Sequence, residues 1–161
     1  MTHSSPARIC KHLWMTPWRL RHCFTPATLE AIEREIKNSE AAHAGEICFV
    51  VEGALHGAPL LRGQSPRDRA IDVFSHLRLW DTDHRNAVLI YVLLADRAVE
   101  IIADRGAYSK VGSDEWQSVC RAMETAFAAG RYRNGTIDGI RAVARHLSEH
   151  FPVSGPSRAM A

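Results

Sequence analysis

Two strand-like runs joined by a very short link limit what this chain can fold into. Ala87 to Leu94 is the most apolar run in the protein, and Ala98 to Ala103 follows it after only Ala95-Asp96-Arg97. A parallel pairing needs a crossover of about a dozen residues or more, so the two runs are expected to form an antiparallel β-hairpin. A third run, Glu46 to Glu52, is short, apolar and bounded by acids, which predicts a buried strand.

Helical signals surround these strands. Thr25-Pro26 is a cap residue followed by proline at the first helical position, and Leu29, Ile32 and Ile36 then mark one face. Ser65-Pro66 opens a second helix whose Ala70, Val73, Phe74 and Leu77 recur at helical spacing, with Asp68 in a variant capping box. A third helix is expected from a Ser113 cap, with Asp114 and Glu115 in its first turn. Trp116, Val119, Cys120, Met123 and Phe127 form its stripe, and Gly130 ends it. A fourth is expected from about Gly135 to His150. Gly53 to Gln64 and the segment between Gly106 and Gly112 read as loops. The order α-β-α-β-β-α-α predicts a single α/β domain, an α/β/α sandwich with a mixed central sheet containing the hairpin.

Charge divides the chain further. Residues 1–24 carry Arg8, Lys11, Arg19 and Arg21 and no acid, whereas residues 25–151 carry 15 basic and 18 acidic side chains. The chain therefore reads as a basic, aromatic N-terminal arm (1–24), a mildly acidic domain (25–151) and a polar tail (152–161). A nucleic-acid binder would concentrate positive charge on its folded body, so no nucleic-acid partner is expected. No run approaches the roughly 20 apolar residues that span a bilayer, and charges and Pro17 interrupt any leader-like segment. A cytoplasmic location is expected, the alternative being peripheral contact at the inner membrane face through the arm. Cys10, Cys23, Cys48 and Cys120 form no C-x-x-C pair and are expected to be reduced and structural.

The segment Asn86 to Ile101, with Asp96-Arg97 at its turn, resembles the central hairpin of the TPM domain family. Asp104-Arg105-Gly106-Ala107-Tyr108 stands where that family shows a glycine-tyrosine turn, and Phe127-Ala128-Ala129-Gly130-Arg131-Tyr132 resembles its segment between the last two helices. The likeness runs from about Thr25 to Phe151. The family is known from photosystem-repair, bacterial envelope and receptor-modulator proteins. The resemblance implies an α/β/α sandwich, calcium binding in some members and a proposed acid phosphatase activity in others.

The residues themselves point to one end of the hairpin. Asp81 and Asp83 precede its first strand and Asp104 follows its second, so antiparallel pairing carries all three to the same end of the sheet. A normal crossover through the helix at Pro66 makes Glu46–Glu52 parallel to Ala87–Leu94 and brings Glu46 there too. Carboxylates with nearby backbone carbonyls suit a hard cation such as Ca²⁺ or Mg²⁺. No organic cofactor is expected. The same acids could instead be solvated strand ends, with Asp81 paired to Arg85 or Arg105.

The opposite end, with Glu52, the Gly53–Gln64 loop and Asp96-Arg97, is the rival location, because ligands of open α/β sheets gather at the carboxyl ends of parallel strands. Arg62, Arg67 and Arg69 could receive a phosphate there. Established phosphatase signatures are absent: there is no C-x₅-R, and Asp81-Thr82-Asp83 lies before a strand rather than after one. The P-loop, G-x-S-x-G and H-E-x-x-H motifs are also missing. Cys10, His12, His22 and Cys23 match no standard zinc spacing. Trp14 and Trp18 are expected to pack back onto the domain, the alternative being contact with a membrane surface or a protein partner. The function expected is thus a cation-binding module that assists a protein or membrane complex, with acid phosphatase or peripheral membrane adaptor as alternatives.

Overall fold

A computed structural model describes residues 3–153 of the chain. Its centre is a three-stranded sheet of β1 (Glu46–Glu52), β2 (Ala87–Leu93) and β3 (Ala98–Ala103), in the order β1-β2-β3. β1 runs parallel to β2, with Glu46 opposite Ala87, and β3 runs antiparallel to it, with Ala103 opposite Val88. Every residue of β2 is buried. That is why its sequence is apolar throughout rather than alternating: both of its faces are covered.

The two faces carry different cores. Val88, Ile90 and Val92 point to one side, where they meet α3 (Pro26–Ser39), α7 (Ser113–Ala128) and α8 (Tyr132–His150) through Ile32, Trp116, Val119, Met123, Ile140, Val143 and Leu147. Leu89, Tyr91 and Leu93 point to the other, against Leu60 of the short α4 (Ala58–Leu61) and Ala70 and Phe74 of α5 (Pro66–His76). Alternate residues of one strand thus serve separate layers, as the pleat requires. The result is the expected α/β/α sandwich with a mixed sheet.

Local chemistry explains the helix starts. Thr25 and Ser65 accept hydrogen bonds from the backbone N–H groups of Thr28 and Asp68, and proline occupies the first position of each helix. The segment between Gly106 and Gly112 differs from expectation. It is a helix, α6 (Arg105–Val111), begun by Asp104, whose side chain accepts from the Arg105 N–H, and ended at Gly112, whose φ is 94°. α7 follows at once, so Ser113 is its first residue rather than its cap. α8 starts at Tyr132, earlier than Gly135 suggested. Gly135 and Gly139 lie inside it because α7 crosses closely there: a Cβ on Gly135 would stand 2.6 Å from the Cβ of Ala126.

The arm is structured and made of two short helices, α1 (Pro6–Trp14) and α2 (Pro17–Cys23), capped by Ser5 and Thr16. Pro17 divides them, because a proline cannot continue a helix that needs its N–H. Only one side of the arm packs down. His12 is buried, and Met15 and Leu20 lie against the core, but Trp14 and Trp18 are 74% and 73% exposed. The tryptophans therefore do not fold back onto the domain. At the other terminus Pro152 bridges His43, and the tail from residue 154 onward lies outside the described residues.

Candidate functional site

The acidic end of the sheet is built by the strand register. Glu46 flanks Ala87 on one side, and Asp104 on the other donates its backbone N–H to the Ala87 carbonyl at 2.8 Å. With β2 between them, two strand spacings set their backbones about 10 Å apart. Asp81 and Asp83 lie in the segment between α5 and β2, and both are exposed. That segment is pressed onto the start of α6. Gly106 donates to the Arg85 carbonyl at 2.9 Å, and a Cβ at Gly106 would stand 2.6 Å from that oxygen and 2.9 Å from the carbonyl oxygen of His84. Only glycine admits so close a pass of backbone over backbone. Arg85 itself takes a positive φ of 50° to turn the chain into β2.

Two polar atoms at this end have no partner. Asp104 uses Oδ1 to accept from the Arg105 N–H at 2.7 Å, while its Oδ2 is buried without a hydrogen bond. The Thr82 hydroxyl is buried and unsatisfied as well. Among the described residues Asp81, Asp83 and Asp104 form no ion pair, so Asp81 is not tied to Arg85 or Arg105. Nor do any three His, Cys, Asp or Glu side chains among the described residues converge into a ready ligand group. The donor types at this end, carboxylates, a hydroxyl and main-chain carbonyls, are the kinds a hard cation takes, but they are not drawn into a cage.

The opposite end is closed by the arm. Arg8 grips Asp96 with Nε and Nη2, the latter at 2.7 Å, and also donates to the Gln64 carbonyl at 2.6 Å. His12 Nε2 lies 2.9 Å from Asp96 Oδ1, while its Nδ1 accepts the Leu55 backbone N–H at 2.8 Å. That second bond leaves Nδ1 without a proton, so the ring is neutral and Nε2–H donates to Asp96. Burial works against a charged Asp96, but the hydrogen bonds from Arg8 and His12, with the charge of Arg8, outweigh it and hold its carboxyl below the usual carboxylate range. Ser4 adds a bond to the Leu60 carbonyl. Two of the arginines considered for phosphate are also engaged: Arg69 makes a two-pronged contact with Glu52, and Arg67 pairs with Glu100 at 3.2 Å. The carboxyl ends of the parallel strands, the usual ligand crevice of open α/β sheets, are thus filled by this chain's own helix.

Arg8 and His12 were not legible as partners of Asp96, which they meet across 88 and 84 residues of chain. The only local hint was that Asp96 stood in a turn.

The fold places the chain among mixed α/β domains. The P. gingivalis protein whose N-terminal domain has been solved by NMR shares this architecture with a TM-score of 0.61 at 18% identity, over 81% of this chain and 82% of that one. The BA42 protein of the psychrophilic bacterium Bizionia argentinensis is nearer in sequence, with 30% identity, a TM-score of 0.71, and coverage of 81% of this chain and 86% of that one. No curated protein matches the chain. The pattern of the TPM domain matches residues 20–146, and the chain belongs to that family.

Proposed function

We propose that this TPM domain is a binding module that takes a hard divalent cation, Ca²⁺ or Mg²⁺, at the end of the sheet bounded by Asp81, Asp83 and Asp104, with Glu46 at its margin. The observation that carries the reading is the Asp104 carboxylate, one oxygen of which is buried with nothing to bond. A buried carboxylate oxygen left unpaired is costly, and a cation beside it removes that cost. Among the described residues the neighbouring acids make no ion pair, and the His84 and Arg85 main-chain oxygens lie against Gly106, two residues from Asp104. Exposed carboxylates on a surface segment can close around an ion when it arrives, and the site would tighten on binding rather than stand preformed. The cation-loaded end would then be the surface presented to an associated protein or membrane complex.

Calorimetric titration with Ca²⁺ and with Mg²⁺ tests this, comparing the wild type with Asp81→Asn/Asp104→Asn. Heat and a raised melting temperature in the wild type, both lost in the double variant, are expected. Silence in the wild type removes the reading. Aryl phosphate hydrolysis followed in the same two proteins decides whether the module is also a phosphatase. Metal-dependent turnover that disappears with the two carboxylates would make it one.

A further inference from the structure

The arm's outer surface combines apolar bulk with positive charge. Leu13 is 69% exposed and Trp14 and Trp18 nearly three-quarters exposed, so three of the largest exposed apolar side chains sit on two short adjoining helices. Their exposure follows from helical geometry. His12, with Arg8 one turn before it, turns inward to Asp96, which leaves Trp14 on the opposite side of α1. On α2, Leu20 and Cys23 pack against the core while Trp18 stacks on exposed His22, ring centroids 5.8 Å apart. Each helix thus sends a tryptophan away from the domain.

The charge on this surface is of one sign. Residues 1–24 contain no acid. Lys11, Arg19 and Arg21 are exposed, and none of them, nor Arg97, makes an ion pair among the described residues. Lys11, Arg19 and Arg97 line a cleft of about 340 Å³ together with Trp14 and Met15. The hairpin turn therefore adds its cation to those of the arm. Of the nearby acids, Asp96 is already held by Arg8 and His12, and Glu124, which lines a neighbouring cavity with Arg97, accepts the Val99 N–H.

We propose that this face docks the domain on an anionic lipid bilayer. Charge complementarity selects the partner: four unpaired cations meet a surface of phosphates, and indole rings with an apolar body and one polar N–H settle at headgroup depth. Tryptophans that stand largely exposed suit a yielding lipid surface better than a shaped protein groove. The interruption at Pro17 is no obstacle, because each half is independently capped and anchored. The docking face is therefore preformed and does not have to fold at the membrane, unlike an isolated amphipathic segment. The proposal does not depend on cation binding, which belongs to the other end of the sheet.

The test is co-sedimentation of the full chain with vesicles of phosphatidylcholine alone and of phosphatidylcholine mixed equally with phosphatidylglycerol. Binding is expected to the mixed vesicles and to fall away as salt approaches about 1 M, where charges are screened beyond about 3 Å. Each basic residue contributes about fivefold to partitioning, so Lys11→Glu/Arg19→Glu should weaken it by at least about 25-fold. Trp14→Ala/Trp18→Ala should weaken it by a similar factor, whereas Trp80→Ala, which removes an exposed tryptophan outside the arm, should not. All three variants alter exposed side chains and should melt with the wild type. The proposal is overturned if the wild type ignores anionic vesicles at low salt, or if both arm variants bind normally. It is also overturned if the chain binds polyglutamate but no vesicle, which would assign the face to an acidic protein. Concentration-dependent dimers lost in the tryptophan variant, without vesicle binding, would assign it to a second copy.

Discussion

His12 and Asp96 are joined at 2.9 Å across 84 residues of chain, and this contact with Arg8 fastens the N-terminal arm over the carboxyl ends of the parallel strands. Because His12 also accepts the Leu55 N–H, its ring is held at both nitrogens. The arm is thereby part of the domain rather than an appendage to it.

Breaking that fastening should release the arm without dissolving the sheet. His12→Ala leaves Asp96 and the Leu55 N–H each short of a partner, a loss of about 1–3 kcal/mol. Limited proteolysis should then cut within residues 8–24 faster than in the wild type, while the hairpin stays protected. Equal cleavage of both proteins would show that apolar contacts alone hold the arm.

Acid should loosen the same contact. The Asp96 carboxyl is held below its ordinary value, so its contribution is complete above the unfolded value near 4 and is lost as pH falls through the lower, folded value. The part of arm release that Asp96 controls should therefore begin below about pH 4. Asp96→Asn, which cannot titrate, should show a loosened arm at every pH and lack that step; proteolysis across a pH series reads both.

Gly106→Ala puts a methyl group against the Arg85 and His84 carbonyl oxygens, and backbone on both sides must shift. We expect a loss of about 1–3 kcal/mol in thermal melts, together with loss of any stabilisation by Ca²⁺. A variant that melts with the wild type would mean that the Thr82–Arg85 segment is free to move off α6.

Two glycines of α8 should differ when each is changed to alanine. At Gly135 the new methyl meets the Cβ of Ala126, which moves only with its helix, whereas at Gly139 the nearest atoms belong to the Met123 side chain. Methionine has three rotatable bonds and can yield. Gly135→Ala should thus be the more damaging, by about 1 kcal/mol or more in chemical unfolding.

The cysteines should separate by reactivity. Burial, with Glu100 and Glu124 nearby, pushes the Cys120 thiol up to about 12, and burial raises Cys48 as well. All four are free, and Cys10 alone is exposed. Alkylation followed by mass spectrometry should label Cys10 first and reach Cys120 only on unfolding.

Much of this architecture was legible residue by residue. Glu46–Glu52 and Ala98–Ala103 have the bounds their apolar runs implied, and the helices at Pro26 and Pro66 begin at the caps that named them. These signals are local: a proline, a hydroxyl cap or an apolar run acts on its own neighbours. The segment from Arg105 to Val111 misled because its glycine is set by an outside contact, the Arg85 carbonyl, rather than by a turn. The tryptophans misled similarly, since which side of α1 faces inward depends on where Asp96 stands.

By itself, then, the sequence determined the hairpin, the sandwich and the chain positions of Asp81, Asp83, Asp104 and Glu46, because short-range sterics and apolar periodicity specify strands, helices and their order. Only the tertiary structure decided that Asp104 keeps a buried oxygen without a partner, that His12 and Arg8 close the opposite end of the sheet, and that Trp14 and Trp18 stand outward. Those outcomes depend on side chains brought together from distant parts of the chain, and no local pattern encodes a distance that the packed core alone imposes.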